Sequence, residues 1–179
     1  PSDDRDPAIL CLRDGTLVAS FCTWDSWRAA PGLRAKYPEE TANMEKEGWN
    51  KYSGSWTMVS TDGGKSWSAA QPAPTFSPRG PVQGPDGALY WVGDAGRDGA
   101  NVVSVWRSED VGKTWTRFSE VCYGPGQNQA DKTEVWDEPN LILLPDGRAI
   151  CSLRVEYGGW VWQAASADGG RTWGWPRRT

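Results

Sequence analysis

The sequence predicts an all-β fold of propeller blades, on two observations. An eight-residue motif occurs three times: Ser60-Thr61-Asp62-Gly63-Gly64-Lys65-Ser66-Trp67, Ser108-Glu109-Asp110-Val111-Gly112-Lys113-Thr114-Trp115 and Ser166-Ala167-Asp168-Gly169-Gly170-Arg171-Thr172-Trp173. Upstream of each copy, a D-G pair separates two apolar runs, at Asp14-Gly15, Asp86-Gly87 and Asp146-Gly147. That pairing is a strong hairpin signal. The copies stand roughly 50 residues apart, a spacing that suits a propeller repeat better than a simple sandwich.

The chemistry of the motif explains its residues. Asp and Ser oxygens accept bonds from nearby backbone N–H groups, and the Gly supplies the positive φ of a tight turn. The Trp is expected to open the next strand and bury its ring. Strands follow in order at Pro7–Leu12, Thr16–Phe21, Ser55–Ser60 and Ser66–Ala70 in the first unit. The second unit has Gly80–Gln83, Ala88–Val92, Val102–Ser108 and Thr114–Ser119. The third has Asn140–Leu144, Arg148–Leu153, Trp160–Ser166 and a shorter strand at Thr172–Trp175. The result is three four-stranded antiparallel blades, at about 5–71, 79–120 and 138–176.

Propellers close with about four to eight blades, so three blades leave two sheet faces open and inclined to associate. The expectation is a fragment of a longer protein, or a chain that closes its ring as a homodimer. Pro1-Ser2-Asp3-Asp4 and Arg177-Arg178-Thr179 read as cut points. Only the first unit carries an insertion, from Trp24 to Tyr52. Within it, residues 38–47 suit a short helix, with Pro38 in the first turn and acidic residues near its start.

Composition excludes several functions. The chain has 179 residues, a net charge of −4 and thirteen Trp, which suits strand packing and disfavours a nucleic-acid partner. No apolar run is long enough to span a membrane. No signal peptide opens the chain as given, which leaves a secreted or periplasmic location open. With no His, triads and metal sites built on imidazole are excluded. Cys11, Cys22, Cys122 and Cys151 lack metal-ligand or redox spacing, and buried free thiols are expected ahead of disulfides. No metal or cofactor is expected.

Blade topology sorts residues by face. The D-G turns and the repeated motifs share one face, where their role is structural. The opposite face collects Arg5, Asp6, Trp24 and Asp25 from unit one, and Arg79 and Asp94 from unit two. Unit three adds Glu134, Asp137, Glu138, Arg154, Glu156 and Tyr157. Arg is suited to bidentate carboxylate recognition, and a neighbouring carboxylate to acid–base work. The cluster suits a small polar or anionic ligand; ordinary rim charge is the alternative.

The motif resembles the Asp-box, or BNR repeat, of the sialidase superfamily, whose catalytic members are six-bladed propellers. Arg5-Asp6-Pro7-Ala8-Ile9-Leu10 is similar to the R-I-P-A-L segment that opens sialidase catalytic domains, with Asp6 in place of Ile. Glu138-Pro139-Asn140 through Asp146-Gly147-Arg148 to Arg154 resembles the stretch in which a Glu enters one strand and an Arg leaves the next.

The resemblance implies half of a six-bladed sialidase-like propeller, acting as a retaining glycoside hydrolase on a terminal acidic sugar. Glu138 would polarise a Tyr nucleophile, Asp25 would protonate the leaving group, and Arg5, Arg154 and Arg79 would bind the substrate. The Tyr and a further Arg belong to later blades. The alternative is a non-catalytic propeller that binds carbohydrate or protein and is closed by homodimerisation.

Overall fold

The computed structural model describes residues 3–24, 31–47, 53–75, 77–97, 100–125, 136–155 and 159–179. The described chain forms three four-stranded antiparallel sheets, one per repeat unit, each with its strands in sequence order. Unit 1 holds β1 (Asp3–Cys11), β2 (Leu17–Trp24), β3 (Gly54–Ser60) and β4 (Gln71–Ala73). Between β2 and β3 lie α1 (Pro31–Lys36) and α2 (Pro38–Glu47), the second at the expected position. Unit 2 holds β5 (Val82–Gln83), β6 (Leu89–Arg97), β7 (Ala100–Ser108) and β8 (Thr116–Pro125). Unit 3 holds β9 (Trp136–Leu143), β10 (Ala149–Val155), β11 (Val161–Ser166) and β12 (Arg177–Arg178).

Strand faces follow from alternation. Along β10, Ala149, Cys151, Leu153 and Val155 are buried while Ile150, Ser152 and Arg154 are less so, the period-two pattern of a sheet packed on one side. The buried set meets Tyr90, Val92, Val103 and Val105 of unit 2 in one core cluster. A second cluster joins Leu12 and Val18 of unit 1 to Leu89 of unit 2.

The fourth strands depart from the sequence reading. In units 1 and 3 they lie at Gln71–Ala73 and Arg177–Arg178, just beyond the expected Ser66–Ala70 and Thr172–Trp175. The motif Trp is therefore outside any strand, and Trp67, Trp115 and Trp173 are only half-buried. Each indole N–H instead donates back to the motif Gly carbonyl, at 3.2 Å to Gly64, 3.2 Å to Gly112 and 3.0 Å to Gly170. The ring staples the turn in all three units; β8 begins directly after it at Thr116, whereas in units 1 and 3 the chain runs on before it rejoins the sheet. Cys22, Cys122 and Cys151 are buried free thiols, but Cys11, on the outward register of β1, is exposed.

The repeated turns bond as their composition requires. Ser166 Oγ donates to Asp168 Oδ1 at 2.7 Å and accepts the Gly170 N–H at 2.8 Å. Asp168 in turn accepts the Thr172 N–H and hydroxyl at 2.9 and 2.6 Å. Ser60–Asp62–Ser66 and Ser108–Asp110–Thr114 repeat the arrangement. The Gly169 N–H donates to the Gly147 carbonyl at 2.8 Å, which ties the motif to the D-G turn on one face.

The same turns join the units. The Thr57 hydroxyl of unit 1 donates to the Gly112 carbonyl of unit 2 at 2.9 Å, and the Ser119 hydroxyl of unit 2 donates to the Gly170 carbonyl of unit 3 at 2.5 Å. Each bond is buried, where a missing partner costs more than the bond itself contributes.

Candidate functional site

The face opposite the repeated turns is organised by three matching lead-in segments. Arg5-Asp6-Pro7, Arg79-Gly80-Pro81 and Asp137-Glu138-Pro139 place their middle residue at φ +52°, +66° and +42°. In units 1 and 3 this residue falls at a register break, between Arg5 and Ala8 in β1 and opposite Ser152–Arg154 in β9. A bulge with a non-glycine residue in the left-handed region is strained, and such strain concentrates at functional positions.

Direct contacts draw the segments together. A Cβ on Gly80 would lie 2.7 Å from Ser20 Oγ and 2.9 Å from Ala8 Cβ, so unit 2 approaches unit 1 as closely as a backbone allows. The Ser77 hydroxyl donates to the Pro139 carbonyl at 2.5 Å and accepts the Arg79 N–H at 3.3 Å. One hydroxyl thus links the lead-ins that carry Arg79 and Glu138.

Unit 3 supplies an ion-paired group. Arg154 pairs with Asp137, its register partner across β9 and β10, and its Nη2 also lies 3.4 Å from Glu138 Oε1. The Asp137 carboxylate accepts the Glu138 N–H at 2.9 Å, which steadies the bulge. Beside this group stands Asp94, near the end of β6 on the same strand face as Tyr90 and Val92. Asn101 of β7, itself buried, donates from Nδ2 to Asp94 Oδ2 at 3.3 Å and accepts the Trp136 N–H on Oδ1 at 2.9 Å. Burial, reinforced by the neighbouring charge of Asp137 and then Glu138, pushes the Asp94 carboxyl up to about 6.

The sequence-predicted residues fall as follows. Glu138 and Arg154 meet through their ion pair. Arg79 joins them through the backbone bond to Ser77 and is exposed. Arg5 is exposed on β1, opposite Cys22. Asp25, Glu134, Glu156 and Tyr157 lie outside the described residues. Sequence reasoning placed Asp94 and Asp137 on this face but gave them no role, and it missed Asn101. A lone Asn beside the Val102-Val103 pair of a central strand was the available signal, because a buried amide needs a partner. Among the described residues no group of His, Cys, Asp and Glu could hold a metal ion.

Three four-stranded sheets, built on one repeated Asp turn, define a repeat protein whose units pack side by side. A family model described as a BNR repeat-like domain matches residues 40–179, and the chain belongs to that family. A protein of unknown function from Dyadobacter fermentans is similar in structure, with 25% identity, a TM-score of 0.69, and 98% of this chain covering 50% of that one. A Hadza microbial sialidase follows at 18% identity and a TM-score of 0.62, over 96% of this chain and 33% of its own. The α-L-arabinanase of Penicillium chrysogenum, complexed with arabinobiose, has 18% identity and a TM-score of 0.60, over 96% and 48%. The chain therefore spans half the length of the first of these structures, and less of the other two. No curated protein matches it.

Proposed function

We propose that this chain supplies three blades of a six-bladed propeller and part of the active site of a retaining glycoside hydrolase. The observation that supports this most is the convergence of three matching lead-ins, two of them strained, through Gly80 against Ala8 and Ser77 on Pro139. It sets the segments that carry Arg5, Arg79 and Glu138 next to one another, which supports a shared role for these residues with Arg154. In this reading the arginines bind the carboxylate of a terminal acidic sugar by charge-assisted bonds. Glu138 takes the proton of a Tyr hydroxyl from outside this chain as that oxygen attacks the anomeric carbon, in the manner of sialidases. Asp25 is the sequence-derived candidate for protonating the leaving group.

A second reading has one observation in its favour. Ile9 on β1 and Ile142 and Val161 on the less-buried face of unit 3 expose more than half of their surface. Such faces suit association with a second copy, giving a homodimeric ring that binds carbohydrate without catalysis.

Assay of the full-length protein on 4-methylumbelliferyl glycosides of N-acetylneuraminic acid and of L-arabinofuranose separates these readings. The hydrolase reading expects turnover of one of them and its loss in Glu138→Gln. Turnover of neither glycoside, with sugar binding that survives Glu138→Gln, would overturn it.

A further inference from the structure

We infer that Asp94 is the proton donor of this site, protonating the glycosidic oxygen as the leaving group departs. The inference rests on the hydrolase reading above and puts Asp94 in the proton-donor place that the sequence resemblance gives to Asp25.

The geometry assigns Asp94 a role that its neighbours cannot take. The site's carboxylates are divided by their surroundings. Asp137 and Glu138 on β9 both contact the Arg154 guanidinium of β10. Among the described residues no guanidinium hydrogen-bonds or ion-pairs with Asp94; it meets the neutral amide of Asn101 from β7 and the two negative charges of β9. Two carboxylates with separated proton affinities are the recurrent arrangement of acid and base in glycoside hydrolysis.

The amide orientation at Asn101 is fixed, because Oδ1 accepts the Trp136 N–H and leaves Nδ2 to face Asp94. With Oδ2 engaged by that donor, the acid proton sits on Oδ1. Asp94 is half-buried, so it is desolvated and yet keeps part of its surface open. The carboxyl is raised to about 6, which keeps a useful fraction protonated near neutral pH.

The step balances as follows. The Asp94 Oδ1 proton passes to the glycosidic oxygen, the anomeric C–O bond breaks with its electron pair on that oxygen, and the alcohol leaves. The Tyr oxygen, having given its proton to Glu138, bonds to the anomeric carbon. In the second half a water oxygen bonds to that carbon, the Tyr–carbon bond breaks with its pair on the phenolic oxygen, and the water proton returns to Asp94. Glu138 returns its proton to the Tyr oxygen.

Two measurements test this. The ¹³C signal of the Asp94 carboxyl in the unmutated protein, followed from pH 3 to 8, should titrate near 6. A midpoint in the ordinary carboxylate range of about 4 would overturn the inference. In the full-length protein, Asp94→Asn should slow hydrolysis of a methylumbelliferyl glycoside by about 10²-fold or more. The kcat/KM for the dinitrophenyl glycoside of the same sugar, whose leaving group needs no proton, should be nearly unchanged, because it reports the first half of the reaction alone and not the water step that Asp94 also serves. Equal loss on both substrates, or loss on neither, would overturn the proton-donor role while leaving the hydrolase reading intact. If the unmutated protein cleaves neither substrate, the hydrolase reading fails and the catalytic role falls with it, although the titration still reports the environment of Asp94.

Discussion

Asp6 and Glu138 occupy the same place in their respective units: each precedes a proline, takes a positive φ and sits at the register break of a first strand. Unit 2 puts Gly80 there, the residue that takes this conformation without strain. Two of the three units therefore carry a carboxylate where glycine would fold more easily. Strain retained at such a bulge is consistent with a functional demand on the side chain.

That relationship predicts a contrast between two replacements of Glu138. Glu138→Gly should leave stability within about 0.5 kcal/mol of the parent, because relief of left-handed strain is offset by glycine entropy. Glu138→Val should cost roughly 1–2 kcal/mol, since a β-branched residue resists this φ. Urea unfolding of the two variants checks the order.

Gly80 is constrained twice, by its φ of +66° and by Ser20 and Ala8 at sub-contact distance from any added Cβ. Gly80→Ala should destabilise by about 2–4 kcal/mol, combining left-handed strain with overpacking between units 1 and 2. A control, Gly15→Ala, meets the same conformational strain in open space and should cost less. Thermal melts of both variants separate the steric part.

The bonds between units predict local effects of similar size. Thr57→Val keeps the shape but removes the donor to the Gly112 carbonyl, and should cost about 1–2 kcal/mol. Ser119→Ala should cost slightly more, because the Trp173 indole N–H also donates to that hydroxyl, at 3.1 Å. Hydrogen exchange in the variants should rise first at the amides of the facing motif turn.

Acid and neutral pH act on different carboxylates with opposite sign. Bonds from the Ser66 hydroxyl, the Ser66 N–H and then the Ser60 hydroxyl hold Asp62 down to about 2, and the Thr172 hydroxyl and N–H lower Asp168 likewise. Their contribution to stability is fully present above about pH 4 and is lost as pH falls through the folded value near 2. Asp94, raised to about 6, contributes below about pH 4 and loses that contribution as pH rises through 6. Melting temperature should therefore fall steeply below pH 4, less so in Asp168→Asn. Asp94→Asn should gain on the parent between pH 4 and 7. Asp137→Asn, which removes the nearest like charge, should move the Asp94 titration downward.

Much of the architecture was legible because it is written in local chemistry. The D-G hairpins, the Ser–Asp–Gly turns and the α2 helix at Pro38–Glu47 depend on residues close in sequence. The fourth strands of units 1 and 3 lie beyond their expected positions, whereas β8 starts directly after Trp115 although its indole makes the same turn bond. The contact between Glu138 and Arg154 was readable from their positions at strand ends. The bonds of Asn101 to Asp94 and Trp136 were not, because they depend on β6 and β7 meeting β9, remote in sequence. The equivalence of Asp6 and Glu138 was available in the shared spacing from the X-Pro pair to the D-G turn, but the backbone conformation gave it meaning.

The central claim is that the lead-in face, not the turn face, receives the sugar. The turn face offers a rival, a cleft of about 460 Å³ lined by Asp86, Tyr90, Arg148, Asp168 and Arg171. The most direct test is amide chemical-shift mapping of the protein titrated separately with N-acetylneuraminic acid and with arabinobiose. The account predicts that one of these sugars shifts the signals of Arg5, Arg79, Asp94, Glu138 and Arg154 together. Shifts confined to Tyr90, Arg148 and Arg171 would contradict it and place the ligand among the Asp turns.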